Sequence, residues 1–190
     1  MQATVSESDD RELIDRLRAG EPDAFERVYE AEKASVYGFL LRLCRDAHVA
    51  ADLFQNVWLK LARHAPRLRE DSNLRAWLLT VARREYISFR RAQALDISRV
   101  LLLDLDDQGA TASGPDADLA LADALGRIAD GDRELLLLAA SGLEPEAIAE
   151  ALGVSGVALR QRLSRARRRL AVALSEGEAP GVRTAPKGAG

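Results

Sequence analysis

Between Val154 and Leu174 the chain carries Arg160, Arg162, Arg165, Arg167, Arg168 and Arg169 and no acid, so this stretch is +6 in a 190-residue chain whose formal net charge is −3. A guanidinium always carries its charge, and its fork of donors matches phosphate oxygens and guanine edges. Facing a duplex, such a row releases condensed counterions. Most charge runs are simply solvated helix faces, and the arginines alone do not choose between the two readings. The residues ahead of them do. In GLEPEAIAEALGVSGVALRQRLSRARRRL, Gly142–Leu170, Pro145 suits a first helical turn, where its missing N–H would be unpaired anyway. Ile148, Ala151 and Leu152 follow at helical spacing, and Gly153 ends the helix at low conformational cost. Ser155 can cap a second helix, whose apolar stripe is Leu159, Leu163, Ala166 and Leu170. The expectation is a helix-turn-helix whose second helix lies in a DNA major groove.

Other chemistries find little support. There is no Gly-rich phosphate loop and no Ser/His/Asp or Cys/His set, so an enzyme is not expected. His48 and His64 have no cysteine or carboxylate at ligand spacing, so neither a metal nor another cofactor is expected. Cys44, the single cysteine, cannot close an internal disulfide and reads as a small core residue. A pI near 5.5 argues against a simple DNA-coating protein and implies a second face for something other than DNA.

Aromatic residues make up 5% of the chain and charged residues 30%, a balance that favours helices over strands. The fold class expected is all-α: two small helical domains joined by a flexible acidic linker, the C-terminal one a helix-turn-helix. The domains are read as residues 11–93 and 118–175, with a linker over 94–117 and a disordered tail over 176–190. No apolar run is long enough for a membrane span. The polar, acidic start MQATVSESDD has no signal-peptide pattern, so membrane insertion is not expected and a cytoplasmic protein is. Residues 1–10 are read as disordered.

Leu13, Ile14 and Leu17 predict a short amphipathic helix ended by Gly20, and Pro22 and Asp23 open a longer one. From about His48 to Arg63, Ala50, Leu53, Phe54, Val57, Trp58 and Leu61 form an inward stripe. Asp52, Gln55, Asn56 and Leu59 lie opposite. A lone exposed leucine is ordinary, yet an apolar centre ringed by polar groups also describes a partner surface, and spacing does not separate these. After the loop HAPRLREDS, Asn73 can cap a helix with Leu74, Trp77, Leu78, Val81 and Phe89 inward. Its outward side is read as Arg75, Arg83, Tyr86, Arg90 and Arg91. Basic groups around an aromatic can hold single-stranded DNA, although a solvated face with one amphipathic tyrosine is the simpler reading without context. Acids then dominate Gln93–Asp118, with a short amphipathic piece at 97–105. Leu121, Leu125 and Ile128 predict a further helix, and Asp130 or Asp132 caps another that carries Leu135–Leu138.

In order, AF..VYE, ADLFQNVWLKL, LRAWLLTVARR…RR, an acidic linker and RLSRARRRL resemble a bacterial RNA polymerase sigma factor of the small, two-domain extracytoplasmic-function type, over about Arg11–Leu174. The resemblance implies that the helix holding Asp52, Gln55, Asn56 and Leu59 docks on the clamp coiled coil of the largest polymerase subunit. It implies that the loop from His64 to Asn73, with Arg83, Arg84, Tyr86, Arg90 and Arg91, captures unstacked bases of the melted downstream promoter element. Extruding a base costs a few kcal/mol that pocket and stacking contacts must offset. It implies that Ser155, Ala158, Arg160, Gln161, Arg162 and Arg165 meet the upstream element as duplex. The C-terminal domain then touches the flap of the second-largest subunit, the acidic linker occupies the RNA channel, and an anti-sigma factor is the expected regulator.

Some positions depart from the family pattern. Ala51 replaces an acid, and Arg84 and Ser88 stand where an asparagine and an aspartate are usual. Val157 and Ala158 replace Gly-Thr of the recognition helix, and Gln161 replaces a serine. The basic positions are retained. Gln161 can pair with adenine and Arg160 or Arg162 with guanine, so base preference shifts while phosphate anchoring stays. A conventional helix-turn-helix regulator is the other class in view, and it leaves the Asp52–Leu59 patch without a role.

Overall fold

The computed structural model describes the backbone of residues 3–100 and 116–177 and the side chains of residues 11–93 and 119–176. All the described regular structure is helical: α1 Ala3–Arg18, α2 Pro22–Cys44, α3 Ala47–His64, α4 Leu74–Val100, α5 Asp116–Arg127, α6 Asp130–Ala140, α7 Pro145–Leu152 and α8 Gly156–Gly177, with a 3₁₀ turn at Ala65–Arg67. Helices α1–α4 form one bundle and α5–α8 a second.

The first bundle closes around Ile14 and Leu17 of α1, Val28, Leu40 and Leu43 of α2, Val57 and Leu61 of α3, and Leu78 and Leu79 of α4, all 2% exposed or less. Each such side chain contributes about 1.5–3 kcal/mol by leaving water. An aromatic cluster bolts α2 to α3. Trp58 lies edge-on to Phe25, Tyr29 and Phe54 at centroid distances of 6.0, 4.8 and 5.8 Å, and Tyr37 meets Phe54 at 5.6 Å. Trp58 Nε1 is buried there with no acceptor among the described residues, a cost of about 1–3 kcal/mol that the ring packing outweighs. The second bundle has no aromatic residue. Its centre is Ala124, Leu125, Leu135, Leu138, Ile148, Leu159, Ala166 and Ala173.

Helix ends follow local chemistry. Asp46 caps α3 by accepting from the N–H groups of His48 (2.8 Å) and Val49 (3.1 Å), and Asn73 caps α4 through Ala76 N–H at 2.9 Å. Several expectations are corrected. The N-cap of α6 is Ala129, and Asp130 and Asp132 sit inside the first turn, where carboxylates complement the helix dipole without capping it. Leu121 is exposed and Ala124 takes the inward position instead, because α5 turns its Leu125 face to α8. α1 begins at Ala3, and α4 runs to Val100, past the start expected for the linker. Residues 101–115 and 178–190, which hold the remainder of the expected linker and nearly all of the tail, lie outside the described residues.

Candidate functional site

Three faces gather the residues singled out in the sequence. The first is the outer side of α3. Its spacing of three, four and seven puts Asp52, Gln55, Asn56 and Leu59 on one stripe, and all four are exposed. Leu53, Val57, Trp58 and Leu61 hold the helix from below, and Lys60 pairs with Glu85 to tie it to α4. Leu59 is 53% exposed, the centre of a polar-rimmed apolar spot on a rigid element.

The second face is the loop between α3 and α4 with α4 itself. The loop is held by its own bonds: Arg69 N–H donates to Ser72 Oγ (3.0 Å), and the Arg69 guanidinium pairs with Asp71. His64 stacks on Trp77 at 5.4 Å with 20° between planes. Beside the loop is an open cavity of about 530 Å³ whose lining includes Arg11, Ile14, Val28, Glu32, Asn73 and Arg75, with Arg75 Nε bonded to Glu32 at 2.9 Å. Along α4, Arg84 and Arg91 are exposed. Arg90 is also exposed and lies 3.4 Å from Asp130. Arg83 is half-buried in an ion pair with Glu134. Tyr86 was expected outward and is instead 5% exposed, the main correction to the site. Burial first, and the nearby Asp130 carboxylate second, raise its phenol pKa. A helical wheel assigns the flanks of Tyr86 correctly as basic, but Asp130 and Glu134 of the other bundle pair with Arg90 and Arg83 on those flanks, which no local pattern in α4 reveals.

The third face is the helix-turn-helix, which forms as expected. Pro145 opens α7 and Gly153 ends it at φ 65°. Val154 N–H donates to Ala149 O (3.0 Å) and Gly153 N–H to Glu150 O (3.0 Å), the paired bonds of a Schellman stop. Ser155 Oγ accepts from Ala158 N–H at 3.2 Å and caps α8, which leaves its own O–H able to donate to a phosphate. Leu159 and Ala166 are buried, Ala158, Leu163 and Leu170 half-buried. Arg160, Gln161, Arg162 and Arg165 all stand exposed. Arg169 is tied back to Asp132.

Sequence reasoning missed Arg133 and Arg45. Arg133 is 5% exposed, and Arg45 ends α2 with a positive φ. In DGDRE the former reads as an ordinary charged helix start, so no sequence signal marks it. Cys44 is half-buried, and burial pushes its thiol pKa up to about 12. Among the described residues no helix is long and apolar enough to cross a membrane.

Comparison with known proteins agrees with this layout. Residues 28–95 match Sigma-70 region 2 and residues 118–170 match Sigma-70, region 4. The chain is 30% identical over 169 residues to the RNA polymerase sigma factor CarQ of Myxococcus xanthus, covering 87% of this chain and 97% of that one. It is 34% identical over 96 residues to the ECF RNA polymerase sigma factor SigK of Mycobacterium ulcerans, across 49% of this chain and 51% of the relative. Among solved structures it resembles the sigma factor RpoE of Bartonella quintana in complex with the anti-sigma factor NepR, with TM-score 0.69, 26% identity, and 80% and 96% of the two chains covered. The fold is also that of CnrH in complex with the cytosolic domain of CnrY, with TM-score 0.66, 23% identity, and 88% and 97% covered. With both regions present in order and CarQ matched along nearly its whole length, the chain belongs to the sigma-70 family as a sigma factor of the extracytoplasmic-function type, binding core RNA polymerase and promoter DNA to direct transcription initiation.

Proposed function

We propose a division of labour among the three faces. Asp52, Gln55, Asn56 and Leu59 dock on the clamp coiled coil of the largest polymerase subunit. The His64–Asn73 loop and its neighbouring cavity receive a base from the melted downstream element, with Arg84, Arg90 and Arg91 tracking the phosphates. Ser155, Ala158, Arg160, Gln161, Arg162 and Arg165 meet the upstream element as duplex, and the same module contacts the flap. The chain carries no chemistry of its own, and polymerase forms the phosphodiester bonds. It works in the cytoplasm. An anti-sigma factor restrains it, a partner of the kind found in complex with RpoE.

The observation that carries this reading is the exposed stripe of α3. An operator-binding regulator needs α7 and α8, but it has no use for a rigid, solvent-facing Asp52–Gln55–Asn56–Leu59 row on a separate bundle. The test is transcription in vitro with core polymerase on genomic fragments, with start sites mapped. Discrete start sites that depend on the chain are expected. A chain that redirects core polymerase to no start site on any fragment refutes the reading.

A further inference from the structure

Val157 is the most exposed large apolar side chain among the described residues, at 57%. Exposure by itself says little, since Val172 near the far end of the same helix is 51% exposed. Position separates the two. A helix start is often stapled to its core by the residue before the cap and the fourth residue of the helix. In α8 these are Val154, packed against the core, and Leu159, 1% exposed, so Val157 has no part in that task. The buried line of α8 is Leu159, Ala166 and Ala173, with Leu163 and Leu170 half-buried beside it. On a wheel of 3.6 residues per turn, Val157, Gln161 and Ser164 stand opposite that line over the first two turns, all exposed and none charged. Arg160 and Arg167 flank them on one side, and Arg162, Arg165 and Arg169 on the other. Arg168 continues the outermost line one turn later. Val157 is also rigidly placed. Ser155 Oγ accepts from Ala158 N–H at 3.2 Å, which pins the first turn around it, and a valine in a helix keeps essentially one χ1 rotamer.

We propose that Val157 is a base-reading residue that packs on the C5 methyl of a thymine in the upstream element. The inference rests on α8 entering that duplex. A helix with its side chains is about 10–12 Å across and a major groove about 12 Å wide. When such a helix enters the groove, its outermost line meets base edges and its flanks meet the two phosphate walls. Arginines occupy both flanks here, which suits the walls, while the line between them is neutral. The thymine methyl is the apolar feature that the major groove offers, so it is the group a valine can recognise there. Gln161, one turn on, takes an adenine edge through its amide. Four residues rise about 6 Å and two base-pair steps about 7 Å, so the thymine and the adenine lie within about two steps of each other. Ser164 can both donate and accept, and so adds contact without choosing a base. Val157 thereby narrows the sequences that the arginines, which hold any phosphate, would accept.

The experiment uses core polymerase loaded with the full-length chain, as wild type, Val157→Ala or Gln161→Ala. Alanine is the better helix former and Val157 is exposed, so the first variant keeps the fold. Each holoenzyme is offered a promoter mapped for wild type, with the upstream element randomised, and the retained duplexes are sequenced. Wild type should retain a thymine at one position. Val157→Ala should lose that preference and keep the neighbouring adenine, and Gln161→Ala should do the reverse. In the best duplex, replacing that thymine by deoxyuridine removes one methyl. This should weaken wild type about fourfold and leave Val157→Ala unchanged. Val157→Ala should also keep the wild-type salt slope, because it removes no charge. The same retained sequences for wild type and Val157→Ala, or an equal loss on deoxyuridine in both, overturns the assignment. If that happens while wild type still directs polymerase to discrete start sites, the proposed function stands and the role of Val157 falls. If wild type directs polymerase to no start site, both fall.

Discussion

Replacing Arg133 by methionine isolates what a buried cation does in this fold. The thioether keeps an unbranched stem and removes five donors. At 2.7 Å, the bond to Leu125 O is a full charge-assisted one, while those to Gly126, Ile128 and Leu43 carbonyls, at 3.4, 3.3 and 3.5 Å, are long. Losing the short bond costs about 1.5–3 kcal/mol, and the long ones add a few tenths each. Leu125 and Ile128 are buried, so their carbonyls at the end of α5 have restricted access to replacement water. Against this, methionine avoids the desolvation of a guanidinium, and a buried ion pair can be exchanged for apolar groups at little cost when both partners go. Here the carbonyl acceptors are backbone and cannot go, and Asp130, whose Oδ1 lies 3.1 Å from Arg133 Nη1, also loses that partner. The net expectation is a loss of about 2–4 kcal/mol, read by urea unfolding of the full chain under far-UV circular dichroism. A change within about 1 kcal/mol would show that water satisfies α5 as well as the guanidinium does, and the reasoning would fail.

Three further outcomes are expected. Leu59→Arg should leave folding within about 0.5 kcal/mol, because the side chain is exposed, and weaken core polymerase binding at least tenfold, since burying a leucine is worth about 1.5–3 kcal/mol; unchanged affinity in a competition assay removes α3 from the interface. Arg160→Ala and Arg162→Ala should each lower affinity for the upstream duplex and flatten the log–log salt dependence by about one for every phosphate left unneutralised, whereas a wild-type slope excludes a phosphate partner at that position. Cys44, with its thiol pushed up to about 12, should alkylate at pH 8 about a thousandfold more slowly in the folded chain than in urea. The folded pKa lies above the unfolded one, so the associated stabilisation is complete below about pH 8.5 and is lost as the pH climbs toward about 12. Equal alkylation rates in the folded and unfolded chains would contradict the burial.

The local grammar of the chain is readable wherever one residue type has one physical use. Pro145, Gly153 and Ser155 delimit the helix-turn-helix because each solves a helix-end problem that few other residues solve, and Asn73 does the same for α4. The exposed stripe of α3 follows from period alone, but its meaning does not, since an exposed leucine is common until a partner is known. Tyr86 and Arg83 are misplaced by periodicity for the opposite reason. Arg83 is taken up by Glu134 of α6, more than forty residues downstream, Tyr86 is buried beside it, and the spacing within α4 takes no account of a second bundle. Asp130 and Asp132 look like caps because aspartate so often is one, yet the extended backbone at Ala129 starts α6 one residue earlier. Arg133 is invisible: acids surround it in sequence, and its carbonyl partners are set by how helices end in space.

All nine phenylalanine, tyrosine and tryptophan side chains fall between Phe25 and Phe89. Ultraviolet light therefore sees half of this molecule. Indole emission will follow the melting of α1–α4 and ignore the rest, whereas amide absorption weighs both halves alike. If the two curves diverge in one denaturant series, the gap between them measures how independently the halves unfold, without a label or a cut in the chain.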